Sequence, residues 1–366
     1  MRLTTIILFF IYSILFSTSI FSAPVDLFET ITYEDELELK KAIKSGGNVN
    51  QSSSDQDMTI LMAAVKTMKP NLVKLLLDSK ANPNGKSPDS GKTPLMYFMT
   101  VYYMDSTNDS DGNKIYSENQ DGLTIFQMLL KAGAKATDKD KEGKSVLTYL
   151  LDNGGANQSE AIIQALLSAK ADPNQKFSND IPKSICFIAI EDTSGYYQLA
   201  LKMFLKQKLC DPNKEYTTGN AYRTTPLYIA INKKEKELVD ALLAAGANPN
   251  KGASDSMMDY FPIFAAINDI EMLTSLLKYK ANPNSIENEI HILEHAARMV
   301  MDDETGERII NILLTNGSNI NHPKLFDSYS TENKAVYAAQ IISHNRIEKF
   351  LKKKGALKST ELKTKK

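Results

Sequence analysis

Apolar pairs recur along the chain at a spacing that fits a helix. Leu238, Val239, Leu242 and Leu243 stand at i, i+1, i+4 and i+5. Met272, Leu273, Leu276 and Leu277 repeat the spacing, and so do Ile309, Ile310, Leu313 and Leu314. At 3.6 residues per turn such positions share one face, so each run predicts an amphipathic helix. A short polar phrase closes each run. It reads "LLAAGANPNK" at 242–251, "LLDSKANPNG" at 76–85 and "LLKYKANPNS" at 276–285. Gly246 is placed to take the left-handed conformation that ends a helix, and Pro249 prevents continuation.

A second phrase alternates with the first. It reads "TILMAA" at 59–64, "TPLMYF" at 93–98, "SVLTYL" at 145–150, "SICFIA" at 184–189 and "TPLYIA" at 225–230. "FPIFAA" at 261–266, "HILEHA" at 291–296 and "KAVYAA" at 334–339 continue the series. Thr followed by Pro opens a helix, because Thr caps it and Pro lacks only an N–H that the first turn does not use. Ala63, Ala64, Ala265 and Ala266 leave room for a neighbouring helix. The unit is therefore helix, turn, helix, loop.

Nine copies of the closing phrase have anchors at 48, 82, 135, 172, 211, 248, 282, 319 and 357. All steps but one lie between 34 and 39; the exception, from 82 to 135, is 53. The unit resembles the ankyrin repeat in its period of about 33 and in its T-P-L-H-x-A and G-A-[ND]-x-N phrases. The resemblance covers nearly all of the chain after its N-terminal segment. It implies an all-α solenoid of about nine repeats over 24–358, with end copies acting as caps. It also implies a non-catalytic scaffold that binds a protein or peptide through a concave face of loops and inner helices.

The departures from that family are specific. Met62, Met96, Thr148, Phe187, Tyr228, Phe264, Glu294 and Tyr337 stand where the family has His. Lys80, Lys170, Leu209 and Lys280 replace the helix-ending Gly. The 53-residue step holds a polar, acidic insert at about 101–120, expected to project as a loop.

The N-terminus is a different kind of sequence. Arg2 precedes an apolar run from about Ile6 to Phe16, and small residues follow, Ser22 and Ala23 among them. That is the layout of a secretory signal peptide over 1–23, cleaved near 22–23. The expected location is periplasmic or secreted, and an uncleaved signal anchor is the alternative. No other apolar run approaches the roughly 18 residues of a membrane span. A Lys-rich tail at 359–366 reads as a solvated end.

Composition adds limits. The net charge of −1 over 366 residues gives no global pull toward nucleic acid. An array of this kind is expected to be monomeric. Cys186 and Cys210 are the two cysteines. The preferred reading is two small buried apolar side chains, with a disulfide as the alternative. In the family's fold the slots they occupy are close, which keeps the disulfide open.

Three constellations could carry chemistry. His291, Glu294 and His295 match H-x-x-E-H, a zinc-hydrolase pattern in which two His bind the metal and Glu acts as base. The repeat frame accounts for the same spacing, and no third ligand is identifiable, so no cofactor or metal is expected. Thr107, Asp109, Asp111, Gly112 and Glu118 partly match a calcium loop, with Thr107 where Asp is needed. This supports only an alternative reading as a calcium- or surface-binding envelope protein. Phe177, Tyr216, Tyr222, Met257, Met258 and Tyr260 lie in the loops of neighbouring repeats. Aromatics and Met are common interface anchors, so these six are the candidate partner-binding residues.

Overall fold

The computed structural model describes residues 26–102, 105–108, 114–117, 119–152, 159–181, 183–192, 197–218, 222–299, 302–325, 333–336 and 345–358. The segment 1–23, read above as a signal peptide, and the tail 359–366 lie outside them. The chain forms two compact units, Met1–Asp172 with Lys176–Pro182, and Pro173–Gln175 with Lys183–Lys366.

The first unit is built from helix pairs: α1 (Leu27–Thr32) with α2 (Glu36–Lys44), α3 (Ile60–Lys66) with α4 (Pro70–Asp78), α5 (Pro94–Val101) with α6 (Gln120–Lys131), and α7 (Val146–Asp152) with α8 (Glu160–Ser168). First helices pack on first helices, α1 on α3, α3 on α5 and α5 on α7, and α2, α4 and α6 form the second layer. The second unit repeats the plan: α9 (Ile185–Glu191) with α10 (Gln198–Lys206), α11 (Pro226–Asn232) with α12 (Lys236–Ala244), α13 (Pro262–Ala265) with α14 (Ile270–Lys278), and α15 (Ile292–Met299) with α16 (Asp303–Thr315). The last described helix, α17 (Asn345–Lys353), packs on α16. The predicted apolar pairs are buried between the layers, except Leu314, which is half-buried.

Helix starts follow the sequence closely. Thr59, Thr93 and Thr225 each accept a hydrogen bond from the backbone N–H three residues on, at 3.3–3.4 Å. Ser184 does the same for Phe187, at 3.2 Å. Most substitutes for the family's His fill space with apolar volume. Thr148 instead donates to the Phe177 carbonyl of the following loop, at 2.7 Å and fully buried.

The helix-ending Gly is replaced where expected in three copies. Lys80, Lys170 and Lys280 take φ of 70°, 65° and 71°. In the fourth copy the left-handed residue is Lys208 (φ 56°), not Leu209. That phrase carries one extra residue, so the register shifts by one.

The fold is not purely helical. Among the described residues four hairpin groups occupy the inter-helix loops. They are β1 (Ser52–Ser53) with β2 (Met58–Thr59), β3 (Asp105–Asn108) with β4 (Lys114–Ser117), a sheet of β5 (Tyr216–Thr218), β6 (Tyr222–Thr224), β7 (Ala253–Ser254) and β8 (Asp259–Tyr260), and β9 (Ile286–Glu287) with β10 (Ile290–His291). All pairings are antiparallel, and Arg223 opposite Ser254 joins one loop to the next. A loop that doubles back must pair its own backbone groups, and these short strands do so. The insert is the β3–β4 hairpin in its described parts.

The N-x-N of the closing phrase has two separate jobs. The first Asn folds the loop locally: Asn48, Asn82, Asn248, Asn282 and Asn319 each accept from the backbone N–H two residues on, at 2.9–3.0 Å. The second reaches the next copy. Asn250 Nδ2 donates to the Lys280 carbonyl (3.2 Å), and its Oδ1 accepts from Asn282 N–H (2.7 Å). Asn284 bridges to Gly317 and Asn319 in the same way, and Asn321 to Gly355 and Leu357. In the first unit Asn84 bridges to Gly133 and Lys135. These amides tie consecutive helix ends together as a ladder. Asn250→Ala is expected to cost about 1–2 kcal/mol, the net worth of two exposed hydrogen bonds. A urea-unfolding midpoint unchanged from wild type would show the bridge to be idle.

Candidate functional site

The H-x-x-E-H segment is structural in this fold. His291 is fully buried at the start of α15, and its Nδ1 accepts from the Leu293 N–H at 3.2 Å. It is the helix cap of this copy, in the position of Thr59, Thr93 and Thr225. Its ring stacks on His322, with centroids 4.7 Å apart. Glu294 is ion-paired to Arg298 at 2.5 Å, one turn on, and His295 packs against Phe264 at 5.0 Å. Among the described residues no group of three His, Cys, Asp or Glu could hold a metal ion. No zinc site is found at this segment among the described residues, and its first His serves as a helix cap. Burial, reinforced by His322, pulls the His291 pKa down to about 4, and burial lowers that of His295. Of the calcium-loop residues, Asp109, Asp111, Gly112 and Glu118 lie outside the described residues.

The six loop residues divide into two groups. Phe177 and Tyr216 are buried. Tyr216 stacks on Phe187 with centroids 3.8 Å apart. Lys183 Nζ lies 4.8 Å from the Phe187 ring and Lys214 Nζ 5.6 Å from that of Tyr216. Phe187 stands in the His slot, and its large ring requires a partner from the following loop.

Tyr222, Met257, Met258 and Tyr260 belong to the four-stranded sheet and its edges. Met257 is 82% exposed and Met258 41%. The turn carrying them is fixed: Asp255 Oδ1 accepts from both their N–H groups at 2.8 Å, and Tyr260 donates its hydroxyl to Asp255 Oδ2 at 3.0 Å. The Tyr222 and Tyr260 rings lie 6.1 Å apart at 49°. Those N–H groups hold the Asp255 carboxyl below its usual range, and the Asp255 hydrogen bond pushes the Tyr260 phenol up.

Beside Tyr222 is a cavity of about 510 Å³, lined by Glu191, Thr224, Tyr228, Ile229, Asn232 and Lys233 as well. Tyr228 is a residue that sequence reasoning treated only as a missing His. Burial is the main cause raising the phenols of Tyr222 and Tyr228. Lys233 donates to the carbonyls of Ile190 (2.7 Å) and Asp192 (2.6 Å), so its charge caps the end of α9. On the other side, Glu287 Oε2 accepts from the Phe261 N–H at 2.7 Å, and burial raises its carboxyl pKa.

Capped helix pairs in two layers, joined by hairpins and an asparagine ladder, make one repeating unit. The ankyrin-repeat family model matches it at residues 56–87 and again at 222–254. Those two segments match the ankyrin repeat. A protein named for its ankyrin repeats, from Acanthamoeba polyphaga mimivirus, is 28% identical over 140 residues, covering 34% of this chain. This chain spans only 18% of that relative's length. No helix among the described residues is long and apolar enough to cross a membrane.

One helix pair departs from the rest. Cys186, on α9, is bonded to Cys210, just beyond α10. Two unpaired buried thiols were the preferred expectation, and the disulfide overturns it. Leu209 takes the position of the Ala in the closing phrase, its N–H bonded to the Phe204 carbonyl, and Cys210 is the extra residue that follows it. The extra residue brings the thiol to the first helix.

Proposed function

We propose that this protein is a non-catalytic interaction scaffold of about nine ankyrin repeats over 24–358. It acts as a monomer and is exported to the periplasm or beyond. It binds a protein or peptide partner through the hairpin edges and inner helices of its second unit. The observation that carries this reading is the rigid presentation of Met257 and Met258. A turn already fixed by Asp255 loses little backbone freedom on docking, and it holds exposed apolar side chains out for contact. Tyr222 and Tyr260 extend the same edge, whereas Phe177 and Tyr216 serve to position the loops. Export is supported by the signal-like N-terminus and by the disulfide, which persists in oxidising compartments. The near-neutral charge favours a protein partner over nucleic acid.

Crosslinking in the native organism, followed by identification of the captured protein, tests the reading. A Met257→Ser, Met258→Ser, Tyr260→Ala triple variant is expected to weaken capture by about tenfold or more, the loss of a modest hot spot. Undiminished capture by a variant with wild-type circular dichroism would sink the assignment of this edge.

A further inference from the structure

Charge is spread unevenly along the chain. Residues 345–366 hold nine basic and two acidic side chains, a net of +7. The whole chain carries −1, which leaves −8 on residues 1–344. The described part of the basic stretch is α17 and the residues that follow it to 358. Ile347 and Leu351 bury one face of α17, which packs on α16. Arg346, Lys349, Lys352 and Lys353 stand exposed on the opposite face, three or four residues apart as helix neighbours are. Lys354 and Lys358, just past the helix, are exposed as well.

Few of these cations are neutralised. Glu307 of α16 holds Arg346 at 2.9 Å, and Glu348 holds Lys352 at 2.6 Å. Lys354 donates to the neutral Asn311 Oδ1 at 2.9 Å. Lys349 and Lys353 have no carboxylate partner among the described residues. A helix at the edge of an array needs a polar outer face, and mixed charge meets that need. On α2, Glu36, Glu38, Lys40 and Lys41 are exposed together. The described exposed positions of α17 are cations alone, so the need for a soluble face does not account for their sign.

We propose that the outer face of α17, with Lys354 and Lys358, docks the protein on the surface of an anionic lipid bilayer. Several cations on one helix face suit a broad plane of negative headgroups, and each adds an attraction that acts within a Debye length. The one aromatic ring of α17, Phe350, is half-buried and lies beneath the Lys354 ammonium, 5.2 Å from it, so the exposed face offers nothing for nucleic-acid bases to stack on. Ile347 and Leu351 are committed to packing. The contact is therefore electrostatic and stays at the headgroups, without insertion of an apolar helix face. It uses a surface separate from the Met257–Met258 turn and goes beyond the scaffold reading.

The test is co-sedimentation of the full chain with vesicles of phosphatidylcholine containing about one third phosphatidylglycerol, against vesicles of phosphatidylcholine alone. Partition is expected to be about tenfold or more stronger on the anionic vesicles, and to be lost when salt rises from about 0.1 M to about 1 M. A Lys349→Gln, Lys353→Gln variant is expected to partition about tenfold or more weakly, with circular dichroism unchanged. Lys349→Arg with Lys353→Arg should keep the binding, and this pair decides the matter if the glutamine variant does not fold. Lys131→Gln with Lys135→Gln removes the same charge from exposed positions of the first unit and should also keep it. Equal partition on the two kinds of vesicle, indifference to salt, equal losses in the two glutamine variants, or retention by duplex DNA without partition onto vesicles would overturn the proposal. Partner capture that depends on Met257 and Met258 is read separately, so the scaffold reading stands or falls on its own.

Discussion

Reducing the bond between Cys186 and Cys210 is expected to lower the stability of the second unit by about 3 kcal/mol. The bridge closes a loop with a sequence separation of 24. In the chain-entropy account, a loop of that size restricts the unfolded ensemble by roughly this amount. The bond also joins α9 to the segment that follows α10, so it spans a whole helix pair. In a repeat array, stability is a sum of local units and their interfaces. Loosening this helix pair should therefore weaken its packing on the copy that follows, α11 with α12, as well as the pair itself. Urea unfolding with and without a reductant measures the effect, and a Cys186→Ala, Cys210→Ala variant separates it from any effect of the reductant on the solvent. Coincident curves would mean that the bridge constrains nothing the helix packing does not already hold.

Acid is expected to act at a different repeat. The pKa of His291 in the folded chain is about 4, against 6.5 for an ordinary histidine. Folding therefore favours the neutral ring. Between these two values the unfolded chain binds more protons than the folded one, so stability falls as pH drops from 6.5 through 4. The shift corresponds to a loss of up to about 3 kcal/mol once both forms are protonated. Geometry explains the direction. The ring is fully buried, its Nδ1 is occupied as an acceptor by the Leu293 N–H, and its Nε2 has no partner among the described atoms. His322 stacks against it, and the Arg298–Glu294 pair lies on the same helix. A proton on Nδ1 would break the cap. Melting temperatures of wild type and His291→Thr at pH 7 and pH 4.5 test this. The variant keeps a cap and removes the titration, so it should lose less stability on acidification. Equal losses would place the acid sensitivity elsewhere.

Much of the fold was legible in local chemistry. Thr-Pro at a helix start and Gly or Lys at its end act within a few residues, so one chain suffices to read them. The short strands were not legible. They are two to four residues long, too short for alternation, and those at Arg223 and Ser254 pair only because two loops meet. The disulfide was obscured by one extra residue after Leu209, which the repeat frame absorbed into the Ala slot. At the candidate site, the exposure of Met257 and Met258 followed from their place in a loop. The burial of Phe177 and Tyr216 did not, because it depends on neighbours in three dimensions. Tyr228 was hidden by the frame itself: a slot assigned to a lost histidine drew attention to what was missing and away from the tyrosine present.

The asparagine ladder bears on what sets one junction apart from the next. Asn250 and Asn284 touch only main-chain groups of the copy that follows, so neither one reads which side chains stand there. Any copy ending in the same phrase offers its successor the same amide, and any successor presents the same carbonyl and N–H. At this ladder the joints of the second unit are alike, so what distinguishes one junction from the next lies in the packed helix faces and in the hairpins.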